Sequence, residues 1–141
     1  MRKQKYLESG DRYFDKGKYR EAAIQYANAV QVDSRFAQAH SQLGQTYLKL
    51  GDSSRAFQEL SRTVELAPDN YRAHIDLANL LVTARNPDGS PNADYVKQAR
   101  IHLDLLRYAP GGKADVDLDV LANLQNYSLL NVVLKPWRGN L

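Results

Sequence analysis

Residues 37–70 read AQAHSQLGQTYLKLGDSSRAFQELSRTVELAPDN, and the residue types of this stretch recur 34 positions before it and 34 positions after it. The aligned sets are Tyr6, His40 and His74; Gly10, Gly44 and Ala78; Tyr13, Tyr47 and Leu81; Gly17 and Gly51; Ala22 and Ala56; Tyr26 and Leu60; and Ser34 and Pro68. A fixed period of this length is typical of arrays of helical hairpins. Because one hairpin is too small to bury its own apolar face, the period predicts an all-α fold in which hairpins stack and share a core.

Each repeat is predicted to contain two helices joined by a short turn. In residues 37–70 the first helix carries Leu43 and Tyr47 four positions apart, which is helical spacing. Residues 50–52 (LGD) interrupt this pattern and predict the turn. Pro68 cannot continue the second helix, and Asn70 or the aspartate before it can cap the next one.

The third repeat is longer than the other two by about eight residues. The additional residues fall at 86–92 (NPDGSPN), a turn-rich stretch that predicts a loop between the two helices of this repeat. Asn92 is the predicted N-cap of the helix that follows. Surface loops tolerate insertions at little cost, so two interpretations stay open: a simple surface insertion, or a loop that contacts a ligand.

The chain beyond Gly111 departs from the repeat pattern. Residues 114–134 carry apolar side chains at spacings of three and four, which predicts a C-terminal helix that caps the last hairpin. Residues 127–134 are apolar on more than one side, so we expect a second copy of the chain, as in a homodimer, or a continuation of the chain to cover them. The tail, residues 135–141, contains Trp137, which predicts a folded-back or disordered end, or a segment that docks in a neighbour's groove.

The aligned columns resemble the tetratricopeptide repeat. Its signature places an aromatic residue, Leu, Gly and Tyr on the first helix, and Ala, an aromatic residue, Ala and Pro on the second. The departures are Ser9 for leucine, Ser34 for proline, Ser53 for the aromatic residue of the turn and Thr63 for alanine. The resemblance implies a single domain, a tetratricopeptide-type helical hairpin solenoid, with three repeats at about 3–36, 37–70 and 71–112 and the C-terminal capping helix after them.

The location of the protein in the cell has two interpretations. Met1 is followed by Arg2 and Lys3 without an apolar stretch, so the chain is cytoplasmic if Met1 is the native start. The first predicted helix begins without a capping residue, which favours an excerpt of a longer protein, periplasmic or envelope-associated after removal of a leader. Residues 5–40 are similar to the opening repeats of bacterial exported tetratricopeptide proteins, some of them lipoproteins linked to exopolysaccharide systems.

Composition excludes several classes of function. The 141 residues include 19 basic and 16 acidic side chains, a net charge of +3 that is interspersed along the chain. Nucleic-acid binders carry a concentrated basic stripe, which is missing here. No apolar run is long enough to cross a membrane, so we expect no membrane insertion. The absence of cysteine removes disulfides, thiolate metal sites and thiol catalysis.

Histidine spacing predicts no metal site. His40 and His74 lie one repeat apart, so their spacing reflects stacking, and with His102 elsewhere we expect no close pair of metal ligands. No phosphate-binding glycine loop and no catalytic Ser/His/Asp pattern is present. The sequence therefore predicts no cofactor and no enzymatic activity.

Three aspartates imitate the first half of a calcium-binding loop: Asp115, Asp117 and Asp119. Val120 stands where this loop needs glycine, and Asn126 stands where it needs a bidentate glutamate. Calcium binding is therefore not expected.

The resemblance to tetratricopeptide repeats implies that first-helix residues facing away from the hairpin core line a concave groove. Carried over position by position, they are Leu7, Asp11 and Phe14 from the first repeat, Gln38, Ser41, Gln42, Gln45 and Lys49 from the second, and Arg72, Ile75, Asp76, Asn79 and Thr83 from the third. Amide and mixed-charge groups dominate this set.

Chaperone-binding members of the family hold a terminal carboxylate with two lysines, an arginine and an asparagine. Of the matching places in this chain, only Arg72 carries the right charge, whereas Asp11 and Asp76 would repel a carboxylate. We therefore expect a ligand other than an acidic C-terminus, namely an extended or helical peptide bound through amides and apolar anchors.

Two classes of function follow. The favoured one is a non-enzymatic scaffold that binds a protein or peptide segment in the groove. The alternative is a carbohydrate-binding or nucleic-acid-binding module that uses the nine tyrosines and the small positive charge. Most tyrosines occupy core columns of the repeat, which favours the scaffold.

Overall fold

The structure, a computed structural model, describes residues 2–105. Six helices form there and no strand: α1 (Arg2–Asp15), α2 (Tyr19–Val32), α3 (Ala37–Lys49), α4 (Ser53–Leu66), α5 (Tyr71–Thr83) and α6 (Ala93–Asp104). The predicted all-α hairpin fold is confirmed. The predictions for the C-terminal helix at 114–134, the apolar segment 127–134, the tail 135–141 and the aspartates Asp115, Asp117 and Asp119 lie outside the described residues.

The described residues divide into two compact units, the first ending at Pro68 and the second beginning at Asp69. In the first unit, α1 packs on α2, α3 packs on α4, and α2 also packs on α3. Its core contains Leu7, Tyr26 and Leu43, which are 3% exposed or less, together with small alanines at the helix contacts. The α2–α3 contact joins the two hairpins, so this apolar cluster is shared between neighbouring repeats.

The turns of the first two hairpins have the same conformation. The amide of Lys18 donates to the carbonyl of Tyr13 at 2.9 Å, and the amide of Asp52 donates to the carbonyl of Tyr47 at 2.9 Å. Gly17 and Gly51, one repeat apart, have φ angles of 73° and 77°, a left-handed backbone that favours glycine. Tyr13 and Tyr47 therefore occupy matching sites in successive hairpins, as the repeat predicts.

In the second unit, α5 packs on α6. Residues 73–78 of α5 are all buried, and α6 buries Val96, Ala99 and Leu103 at helical spacing. The apolar stripe of α6 is thus narrower than that of α5, and exposed side chains such as those of Lys97 and Ile101 lie outside it.

The loop between α5 and α6 is held by its own hydrogen bonds. The amide of Asn86 donates to the carbonyl of Ser90 at 2.9 Å, and the side chain of Asn92 donates to Oδ1 of Asn86 at 3.0 Å. Oδ1 of Asn92 in turn accepts from the amide of Tyr95 at 3.1 Å. This bond confirms Asn92 as the N-cap of α6, and it ties the end of the loop to the start of the helix.

Candidate functional site

The candidate surface residues lie on the first helix of each hairpin: α1, α3 and α5. Those of α1 and α3 belong to the first unit, and those of α5 belong to the second. We define the α1/α3 surface as Asp11, Gln38, Gln42, Gln45 and Lys49. On α3 its members are spaced by four, three and four residues, so they share one face of the helix.

Asp11 is the centre of a hydrogen-bond network that joins α1, α2 and α3. Its Oδ1 accepts from the hydroxyl of Tyr26 at 2.6 Å and from Nε2 of Gln42 at 3.1 Å. No described residue donates to the other carboxylate oxygen, Oδ2. The carboxylate is therefore held in one orientation by two neighbours and keeps one oxygen that can accept from a ligand.

Tyr26 supports this network from the core. Its side chain is fully buried. Burial raises the pKa of the Tyr26 phenol well above its usual value, and the hydrogen bond to Asp11 and the charges of Asp11 and Asp15 raise it further. The hydroxyl thus stays protonated and remains a donor to Asp11 at neutral pH.

Tyr26 is absent from the candidates chosen by position, because it lies on a second helix and in a core column. A signal for it was nevertheless present: the matching place one repeat later is Leu60, so only the first hairpin carries a hydroxyl there. A buried tyrosine hydroxyl normally finds a hydrogen-bond partner. That rule predicts a polar neighbour for Tyr26, although it does not identify Asp11.

Other members of the α1/α3 surface reach solvent to different degrees. Gln38 and Lys49 are exposed, whereas Gln42, Gln45 and the neighbouring Ser41 are half-buried. This face therefore offers amides and one ammonium group beside the Asp11 carboxylate.

Two of the predicted groove residues on α1 serve packing. Leu7 is 1% exposed and belongs to the apolar core of the first unit, so its assignment to the binding surface is wrong. The physical reason is that the side chain of Leu7 packs in the same buried cluster as residues of α2 and α3. Phe14 is half-buried and makes an edge contact with Tyr19, with ring centroids 5.2 Å apart.

The α5 candidates in the second unit are partly engaged with each other. Nε of Arg72 lies 3.4 Å from Oδ2 of Asp76, one helical turn away. Asp76 is 7% exposed, and Ile75 is 1% exposed, which makes the assignment of Ile75 to the surface wrong. The hydroxyl of Thr83 donates to the carbonyl of Asn79 at 2.9 Å, within its own helix. Arg72 is the exposed charged group of this set.

His40 is enclosed by two acceptors. Its Nδ1 lies 2.7 Å from Oε2 of Glu59, and its Nε2 lies 2.8 Å from the carbonyl oxygen of Ser34. A carboxylate and a carbonyl can only accept, so both ring nitrogens must donate, which requires the imidazolium form. The hydrogen bond to Glu59 raises the pKa of His40, burial opposes it, and the bond to Ser34 adds to it.

His74 and His102 lie side by side, with their Nδ1 atoms 2.8 Å apart. The expectation that His102 lies away from the other histidines is therefore wrong, because the packing of α5 on α6 brings it beside His74, 28 positions earlier in the chain. Nitrogens at this distance share one proton in an N–H···N bond. Among residues 2–105, no group of three or more His, Cys, Asp or Glu side chains could hold a metal ion.

The tyrosines of the first unit do not form an open stacking platform. Tyr6, Tyr13 and Tyr47 are half-buried and pack against the core, and Tyr26 is fully buried. Nucleic-acid binders that use stacking need exposed aromatic faces.

None of the helices in the described part of the chain is long and apolar enough to cross a membrane.

Two family models match this arrangement of hairpins. The model described as TPR repeat matches residues 10–51, and the model described as tetratricopeptide repeat matches residues 41–95. Residues 10–95 belong to the tetratricopeptide repeat family. Together they make up more than half of the chain. Among curated proteins, none matches the tetratricopeptide chain significantly in sequence.

Solved tetratricopeptide structures share the fold. The first such domain of Spaghetti (RPAP3), solved bound to the HSP90 peptide SRMEEVD, has a TM-score of 0.71 at 15% identity and covers 89% of this chain and 92% of that one. The TPR2B domain of yeast Sti1, in its pHsp70 complex, has a TM-score of 0.68 at 19% identity, with 90% and 99% covered. A thermophilic tetratricopeptide protein of Thermus thermophilus has a TM-score of 0.60 at 23% identity, with 72% of this chain and 54% of that one covered.

Proposed function

We propose that this tetratricopeptide chain is a non-catalytic interaction module, and that its α1/α3 surface binds a segment of a partner protein. The observation that carries the proposal is the Asp11 network. A carboxylate fixed by Tyr26 and Gln42, with Oδ2 left to accept, is a preorganised polar group, and preorganisation lowers the entropic cost of binding.

The amides of α3 suit a polypeptide ligand. A glutamine side chain carries one acceptor and two donor hydrogens, which match the N–H and C=O groups of a peptide backbone. Gln38, Gln42 and Gln45 place three such amides along one helix face, and the amide of Gln42 also donates to Asp11. In the second unit, Arg72, Asp76, Asn79 and Thr83 remain the predicted contribution of α5.

The charges of these helices favour a ligand that brings hydrogen-bond donors or a cationic side chain. Asp11 presents an acceptor, and the guanidinium of Arg72 already lies 3.4 Å from Asp76. A terminal carboxylate at the α1/α3 surface would meet the Asp11 charge, and one at α5 would meet an arginine that Asp76 already partly neutralises. The Spaghetti and Sti1 domains share the fold with this chain at 15% and 19% identity. Identity this low supports a common fold but does not imply that this chain binds the same ligands.

A pair of labelled peptides tests this ligand chemistry. One is SRMEEVD, and the other is the same peptide with its three acidic residues replaced by lysine and its C-terminus amidated. Fluorescence anisotropy at low salt should show weaker binding of the acidic peptide and tighter binding of the basic one, decreasing with salt. Tighter binding of the acidic peptide would contradict the proposed charge preference.

Capture of partners tests the surface itself. The test variant changes Gln38, Gln45 and Lys49 to alanine on α3. The matched control changes three exposed residues of similar type on second helices to alanine: Arg20, Gln31 and Gln58. Partners captured by the unaltered chain should be retained by the control and lost by the test variant. Equal capture by both variants would show that the α1/α3 surface is assigned wrongly.

The resemblance of residues 5–40 to exported bacterial repeats supports a finer proposal, a place in a bacterial cell-envelope or export assembly. Fractionation of the native cells with an antibody against the chain tests it. Recovery of the protein in the envelope or periplasmic fraction is expected, and recovery in the cytoplasmic fraction alone would contradict this part of the proposal.

A further inference from the structure

The second and third hairpins carry a histidine at the same repeat position but give it different partners. His40 on α3 meets the carboxylate of Glu59 on α4. His74, one repeat later on α5, meets the imidazole of His102 on α6. Each contact joins the first helix of a hairpin to its second helix, so the protonation of each pair acts directly on the closure of its hairpin.

Acid supports the contact in the second hairpin. Both nitrogens of His40 face acceptors, on Glu59 and at the carbonyl of Ser34, so the ring makes both hydrogen bonds only when it carries two protons. Arg62 is the charged neighbour that opposes this form, and its effect on the pKa of His40 is smaller than that of Glu59. Protonation therefore strengthens the α3–α4 contact.

Acid opposes the contact in the third hairpin. The Nδ1 atoms of His74 and His102 are 2.8 Å apart, so the space between them holds one hydrogen. When the pair takes up a first proton, one Nδ1 still donates its hydrogen to the other, unprotonated Nδ1. A second proton places two N–H groups and two positive charges head to head, and the bond is lost.

We propose that the His74–His102 pair makes the α5–α6 hairpin open in mild acid, under conditions in which the His40–Glu59 pair keeps the α3–α4 hairpin closed. Because α5 carries Arg72, Asn79 and Thr83, opening would alter the second unit's part of the predicted binding set. That consequence rests on the proposed function, whereas the opening itself does not.

The pH window follows from the burial of the pair. Burial and the neighbouring His74 lower the pKa of His102 from 6.5 to about 4. The remaining charged side chains of α5 and α6 are not among the causes of this shift; they are Arg72, Asp76, Asp94, Lys97, Arg100 and Asp104. A folded-state pKa below the unfolded value means that stability is present above pH 6.5 and is lost as the pH falls toward 4.

Hydrogen exchange of the full chain, followed by mass spectrometry at about pH 7 and pH 5 and corrected for the intrinsic rate, tests the proposal. Protection of the α5 and α6 amides should fall by about tenfold or more between the two pH values, whereas protection in α3 and α4 should not fall. An equal loss in both hairpins, or no loss in α5 and α6, would overturn the proposal.

A non-titrating variant, His102→Asn, should remove the difference between the two pH values in α5 and α6 while keeping an amide that can bond to His74. If this variant does not fold, the titration of the ring protons of His102 by NMR in the unaltered chain replaces it. Loss of the α5–α6 protection at the same pH as protonation of His102 supports the proposal, and loss at a different pH contradicts it. Peptide binding by the α1/α3 surface is measured separately, so failure of one proposal is distinguishable from failure of the other.

Discussion

The ring of Tyr26 lies so close to the backbone of Gly10 that a Cβ atom at position 10 would stand 2.5 Å from Cε1 of the ring. The same relationship recurs one repeat later, where a Cβ atom at Gly44 would stand 2.8 Å from Cδ2 and Cγ of Leu60. Glycine therefore recurs in this column because the second helix of each hairpin places a large buried side chain against the first. The recurrence reflects packing and carries no direct information about a ligand.

Gly10→Ala is expected to destabilise the chain by about 1 to 3 kcal/mol, the usual cost of overpacking a core. The ring of Tyr26 is fully buried and its hydroxyl is fixed by Asp11, so a shift away from the new methyl group disturbs the core packing and the hydrogen bond to Asp11. Urea denaturation followed by circular dichroism measures the change.

Gly44→Ala is the matched comparison, because its methyl group would meet the branched end of Leu60. A leucine end can change rotamer, and alanine is favoured over glycine in a helix by about 1 kcal/mol. We expect a smaller loss than for Gly10→Ala. An equal or larger loss at position 44 would show that the tyrosine network does not stiffen the first hairpin.

Tyr26→Phe removes the hydroxyl that donates to Asp11 and keeps the ring. The expected cost at neutral pH is about 1.5 to 3 kcal/mol, the range for a hydrogen bond to a charged group. The pKa of Tyr26 is raised in the folded chain, so the stabilisation is present below the usual pKa of 10.0 and decreases as the pH rises above it. The difference between the two proteins should therefore narrow in alkali.

Tyr13→Phe is the control for this prediction. Tyr13 is half-buried in the same repeat, and its hydroxyl makes no hydrogen bond among the described residues. The control should change the free energy of unfolding by less than about 0.5 kcal/mol. If Tyr26→Phe has an equally small effect, the Asp11 network does not contribute to stability.

Glu59→Gln should destabilise the chain more at pH 6 than at pH 8.5. The pKa of His40 is raised by Glu59, so this stabilisation is present in acid and is lost as the pH rises through the folded-state value. Glutamine keeps an acceptor for the ring but removes the negative charge. Thermal unfolding at both pH values measures the effect, and an NMR titration should show the pKa of His40 falling in the variant. A loss of stability that is independent of pH would contradict the charged form of His40.

The repeat period is sufficient to predict the helices and the turns, because those features repeat. Gly17 and Gly51 mark equivalent turns, and the columns of Gly10 and Gly44 mark the close helix contacts. What the period cannot predict is a contact that occurs once. The bond from Tyr26 to Asp11 exists only in the first hairpin, since the second carries Leu60 in place of the tyrosine.

The pairing of His74 with His102 was hidden for a different reason. The loop between α5 and α6 shifts the second helix of the third hairpin out of the 34-residue register, so column alignment assigns His102 no partner.

The direction of two side chains explains why their assignment to the binding surface was wrong. Leu7 and Ile75 lie on first helices, but they point into apolar surroundings, as their 1% exposure shows. The apolar character of both residues is the feature of the sequence that indicates burial rather than contact with a ligand.

Helix caps provide a prediction that compares two repeats directly. Asp52 caps α4 by accepting from the amide of Arg55 at 3.0 Å. Lys18 occupies the matching position before α2 and has almost the same backbone angles, with φ and ψ of −89° and 70° against −93° and 81° for Asp52, but it makes no capping bond. Lys18→Asn should therefore supply the missing acceptor to the amide of Glu21 without adding a charge beside that glutamate. The expected gain is about 0.5 to 1 kcal/mol, seen as a rise in the melting temperature. Asp52→Ala should lose a similar amount, and an unchanged melting temperature for Lys18→Asn alongside a loss for Asp52→Ala would show that the two hairpins do not share the same cap geometry.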